Sequence, residues 1–66
     1  MRRVAISQVQ KFMRNLGIPR GFEPGTINRN IKIGKFDVPY IKLGLVKYFK
    51  EEDIIEWLER QEKYND

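Results

Sequence analysis

Tyr40-Ile-Lys-Leu-Gly-Leu-Val-Lys-Tyr-Phe49, YIKLGLVKYF, alternates apolar and polar residues on both sides of Gly44-Leu45. A period of two is a strand signal. A two-residue Gly-X connection favours a type II′ hairpin, because glycine supplies the positive φ at the first central position. The turn sets the pairing: Leu43 opposes Val46, Lys42 opposes Lys47, and Ile41 opposes Tyr48. Ile41, Leu43, Val46 and Tyr48 are expected to share the core face, leaving Lys42 and Lys47 side by side on the other. Opposed like charges are destabilising. A polyanion would relieve the repulsion; the plainer alternative is two lysines splayed into water.

Upstream, Thr26–Phe36 reads TINRNIKIGKF and contains no acid. Pro24 suits a first helical position, where its missing N–H is not needed. Ile27 and Ile31 are one turn apart and face inward, Thr26, Asn28, Arg29, Asn30 and Lys32 cover the outer sides, and Gly34 ends the element. The second helix is thus expected over 24–33. A helix this short does not persist alone, so it needs the first. Ser7 and Gln10 have capping-box spacing, Val9, Phe12, Met13 and Leu16 form one apolar stripe, and Gly17 stands where a left-handed residue stops a helix. The first helix is expected over 7–16. The GIPRGFEPG loop follows, with Phe22 tucking back onto the core. Two short helices joined by a glycine-containing turn form a helix-turn-helix. The outer face of the second offers amides, a hydroxyl and cations, the groups that bond base edges and phosphates.

Downstream, KEEDIIEWLERQEK, residues 50–63, is a third helix with Ile54, Trp57, Leu58 and Gln61 on one face. Trp57 is expected to be the largest core contributor. Glu51, Glu52 and Asp53 fall in the first turn, where the helix dipole favours negative charge. Glu56–Arg60 and Glu59–Lys63 are favourable i,i+4 pairs. These acids repel DNA, so this helix should lie away from it.

The 66 residues hold one small domain with a thin core. Cysteine and histidine are absent, which excludes a disulfide framework, a zinc finger and a cysteine or histidine nucleophile. No catalytic residue, metal ligand or cofactor is expected, and the chain is read as a non-enzyme. No signal peptide or membrane-length apolar run is visible, which suits a cytoplasmic, nucleoid-associated protein of a bacterial host. The net charge of +4 hides an asymmetry: residues 1–50 carry +9, with Glu23 and Asp37 the sole acids, and residues 51–66 carry −5. A basic body with an acidic end suggests a polyanion on one side.

The derived order is an α+β chain of helix, turn, recognition helix, two-stranded wing and C-terminal helix, a small winged helix-turn-helix domain over 1–66. At this point TINRNIKIGKF…VPYIKLG…VKYFKEEDIIEWLE resembles the MerR-like winged-helix proteins of phage, the excisionases and AlpA-type prophage regulators. The resemblance runs through Thr26, Ile27, Arg29, Ile31, Gly34, Lys35, Phe36, Lys42, Leu43, Gly44, Asp53, Ile54, Trp57 and Leu58. It implies that Thr26, Asn28, Arg29, Lys32 and Lys35 belong to a major-groove recognition element, with Lys42 and Lys47 in the wing. Arg29 is the candidate for guanine and Asn28 for adenine. Thr26 either helps hold a phosphate at the helix N-terminus or only starts the helix. Arg20, on the loop, either contacts phosphate or is solvated. The implied partners are double-stranded DNA, a phage integrase and further copies of the chain on DNA. The implied role is an excisionase, a recombination directionality factor, with a prophage transcriptional regulator as the runner-up. A protein-interaction or DNA-packaging module is a separate class, in which the acidic third helix would be the working surface. The chain departs from the family in its longer GIPRGFEPG loop, its arginine-free Gly44-Leu45 tip and its non-basic QEKYND end.

Overall fold

The strand that leaves the Gly44-Leu45 turn is the centre of the molecule. The computed structural model describes residues 2–64, with side chains described as far as Gln61. In chain order these form β1 (Arg3–Ala5), a 3-10 turn (Ile6–Gln8), α1 (Val9–Asn15), α2 (Pro24–Lys32), β2 (Tyr40–Leu43), β3 (Val46–Lys50) and α3 (Glu51–Tyr64). The strands make one antiparallel sheet in the order β1-β3-β2. The class is α+β, but with a three-stranded sheet where the sequence suggested a two-stranded ribbon. The added strand sets Arg3, Val4 and Ala5 opposite Lys50, Phe49 and Tyr48. Three residues are too few to show a period, and their partners lie far along the chain, at 48–50.

The hairpin register is the expected one: Leu43 pairs with Val46, Lys42 with Lys47 and Ile41 with Tyr48. Gly44 has φ +64°, and no described non-glycine residue has positive φ, so the turn is type II′. The face assignment is the reverse of the expectation. Phe49 is completely buried, and its neighbour across β1, Val4, is buried with it. Because side chains alternate, Lys47 shares the face of Phe49, whereas Ile41, Leu43, Val46 and Tyr48 lie on the other. Ile41 is 39% exposed and Leu43 60%. The physical reason is aromatic packing. The Phe49 ring meets Phe36 edge-on at 5.4 Å and Tyr40 at 5.7 Å, and these large rings decide which side turns inward.

The first helix also differs. Its expected opening turn is the 3-10 turn, and α1 starts at Val9 with no side-chain cap on its N-cap residue Gln8. The Ser7–Gln10 capping box therefore does not form: β1 runs to Ala5 and puts Ser7 inside the 3-10 turn. Val9 and Met13 are fully buried, but Leu16 is 47% exposed. A Schellman turn explains this. Gly17 N–H donates to Arg14 O at 3.0 Å and Ile18 N–H to Met13 O at 2.9 Å. The reversal brings Ile18 onto the core, in place of Leu16.

Pro24 opens α2 at its first positions, as expected, and Ile27 is buried. The same motif ends it, with Gly34 N–H on Ile31 O at 3.2 Å and Lys35 N–H on Asn30 O at 2.8 Å. Gly34 adopts φ +82° there, which side chains resist. The turn delivers Phe36 and Val38 to the core.

No loop separates β3 from α3, and the Glu51 amide donates to Arg2 O at 3.1 Å. Ile54 is fully buried. Trp57 is half-buried, so Phe49 and Met13, not Trp57, are the largest fully enclosed side chains. Its ring packs against Phe36 at 4.8 Å and Phe22 at 6.1 Å, and Phe22 does return to the core. Arg60 pairs with Asp37 at 3.3 Å rather than with Glu56, because two parallel N–H···O contacts are available there. The Glu59–Lys63 pair and the residues after Gln61 lie outside the described side chains.

Candidate nucleic-acid interface

One contact joins the hairpin to α2. Lys47 Nζ donates to Asn28 Oδ1 at 2.7 Å across 19 residues of sequence. An ammonium only donates, so the amide oxygen must be the atom facing the ribbon. The same ammonium lies 5.8 Å from the Tyr40 ring centroid, within cation–π reach. Lys42 is directly opposite Lys47. The inverted face of the sheet is what makes this possible: Lys47 stands on the side of the sheet where the helices pack, beyond the last buried rung at Phe49.

Helical geometry then orders the rest of α2. With Ile27 turned into the core, successive side chains step about 100° round the axis. Asn28 and Lys32, four apart, form the flank toward the hairpin. Arg29 and Gly25 form the outward crest, and Thr26 and Asn30 the far flank. Arg29, Lys32, Lys35 and Lys42 are exposed and make no side-chain hydrogen bond or ion pair among the described residues. Asn28, Arg29, Lys32, Lys42 and Lys47 thus belong to one continuous surface, and Lys35 follows at the C-terminal end of α2.

Thr26 stands differently. Its hydroxyl donates to Glu23 Oε2 at 3.3 Å, and Glu23 is the N-cap residue of α2. This contact favours the helix-start role, because a phosphate at that end would meet a carboxylate. Glu23 is the residue the acid-free reading of the helix passed over; its spacing of three from Thr26 was the available signal. Arg20 lies exposed on the loop before Glu23, and no described side-chain bond connects it to the surface above.

Both acids of the basic body are occupied within the molecule, Glu23 by Thr26 and Asp37 by Arg60. The exposed cations of α2 and the hairpin therefore have no described side-chain acid bonded to them. At the tip, Leu45 is 94% exposed, an unusual residue for the outermost position of a hairpin. Arg3, Pro39, Tyr40, Ile41, Tyr48, Lys50 and Asp53 surround a shallow hollow of about 150 Å³.

No family model, no curated protein and no solved structure matches the chain. No helix among the described residues is long and apolar enough to cross a membrane. The described residues contain no group of three or more His, Cys, Asp or Glu that could hold a metal ion.

Proposed function

We propose that this chain is a sequence-specific double-stranded-DNA-binding protein of phage or mobile-element origin, a winged helix-turn-helix in which α2 is the recognition helix and the β2–β3 hairpin the wing. Its leading role is that of an excisionase, which binds and bends attachment-site DNA cooperatively and biases an integrase toward excision. A prophage transcriptional regulator of AlpA type is the alternative, since partners rather than fold separate the two.

The observation that carries this reading is the Lys47–Asn28 bond at 2.7 Å. It joins a hairpin bearing paired lysines to the polar side of a short helix. A ledge built this way has the division of labour that DNA recognition needs: cations for phosphates, and an amide and a guanidinium for base edges. Arg29, on the outward crest, is suited to guanine O6 and N7, and Asn28 beside it to an adjacent base. Lys32, Lys35, Lys42 and Lys47 supply phosphate contacts.

A salt titration tests the reading. With about four phosphate contacts, log K against log salt should fall with a slope of about −3.6. Absence of binding to duplex DNA at low salt, or a slope near zero, overturns it. Integrase-dependent excision of a plasmid carrying the attachment sites, measured with and without the protein, separates the excisionase role from the regulatory one.

A further inference from the structure

We propose that Leu45 is a wedge that enters a base step of the duplex from the minor groove and kinks it. This inference rests on the DNA-binding reading and adds the place and means of the bend.

A type II′ turn requires glycine at its first central position, and Gly44 with φ +64° fills that need. The second central position has no such requirement, and turns normally fill it with small polar residues. Here it holds a leucine that is 94% exposed, next to Leu43 at 60%. Among the described residues the tip therefore carries the most exposed large apolar side chain, and the surface near it is cationic.

The distances suit a groove. Leu45 is two residues beyond Lys47 on β3, or about 7 Å at the rise of a strand. The minor groove is about 7.5 Å deep. With the Lys42 ammonium on a phosphate at the groove rim, the tip reaches the groove floor. Lys47 does not swing freely: its bond to Asn28 mounts the hairpin on α2, so a helix seated in the major groove fixes where the tip descends. An apolar side chain offers the floor no hydrogen bond. Its favourable course is to slide between stacked bases, as leucine and other apolar wedges do in DNA-bending proteins. The arginine-free tip is in this view a different device from groove-reading arginine.

The test uses the full chain and a duplex of about 30 base pairs, long enough to report a bend, recovered by selection on this protein from a random pool. Donor and acceptor dyes sit at its ends, and 2-aminopurine replaces adenine at successive steps beside the α2 footprint. The wild-type protein should raise 2-aminopurine fluorescence at one step and bend the duplex by about 40°, within the range of wedge-inserting proteins. Leu45→Asn should abolish both signals. Both signals are read at saturating protein, so that any loss of affinity in Leu45→Asn does not enter the comparison. Leu45→Phe should retain both signals. The exposed position makes loss of fold in either variant readily excluded by circular dichroism. Equal bend and fluorescence for wild type and Leu45→Asn overturn the wedge and leave the DNA reading standing. If Leu45→Asn instead loses only cooperativity on tandem sites, the tip contacts a second copy of the chain and the wedge is overturned. Failure of the wild-type protein to bind any duplex overturns both.

Discussion

Lys47→Ala removes a side chain that touches both halves of the proposed interface. In the free protein its ammonium is on Asn28 Oδ1 at 2.7 Å and near the Tyr40 ring at 5.8 Å. Exposed contacts of this type contribute little, about 0.5 kcal/mol each. The substitution also removes the in-register repulsion from Lys42, worth a similar amount. The stability change should therefore stay within about 0.5 kcal/mol, a shift of only a few degrees in Tm for so small a domain. Binding should respond more. If Lys47 meets a phosphate in the complex, the loss of one contact makes the salt slope shallower by about 0.9, and all DNA sequences weaken about equally. The Lys47→Ala, Asn28→Ala cycle should show coupling of about 0.5 kcal/mol in the stability of the free protein, because the two side chains share a bond there. The binding assay is fluorescence anisotropy across a range of salt on specific and random duplexes. Unchanged affinity and slope, with no coupling, would refute the reasoning that this contact organises the surface.

Arg29→Ala should cost about 1–3 kcal/mol of binding and relax preference at one base pair, as read from selection on randomised duplexes; untouched affinity and preference would remove α2 from the recognition role. Gly34→Ala should destabilise by about 1–2 kcal/mol, through the positive φ alone. An added Cβ meets nothing within 4 Å there, so a larger loss in thermal melting would contradict that account. Phe49→Ala should cost about 3–5 kcal/mol, enough to unfold so small a domain at ordinary temperature. Leu43→Ala on the outward face should cost under about 1 kcal/mol, and the contrast between the two tests the face inversion.

The sequence reading succeeded where local chemistry decides the structure. Gly44 compelled the turn type and with it the register, Pro24 marked the start of α2, and Gly17 and Gly34 marked both helix ends. It failed where a distant partner decides. The alternation around the turn held four apolar residues on one side, but Phe49, at the edge of that window, won the core because Phe36, Tyr40 and Val4 meet it there. β1 was hidden for the same reason, since Val4 has no strand signal apart from its place opposite Phe49. Losing β1 also misplaced the start of α1, because the strand holds Ala5 extended and Ser7 past the cap. In the candidate site, the residue types on α2 were legible from helical spacing. The bond from Lys47 to Asn28 was not, because it follows from the inverted face. Glu23 lies just outside the acid-free stretch, so its contact with Thr26 is not visible in it, whereas the tip position of Leu45 follows directly from the Gly44-Leu45 turn.

The central claim is that α2 and the hairpin form one DNA-facing surface, and backbone amide shifts on titration with duplex DNA test it most directly. The account predicts that the amides of 25–35 and 42–47 shift together and with the same apparent Kd, while those on the outer turns of α3 barely move. Shifts concentrated on α3, or confined to the hairpin without α2, would contradict it.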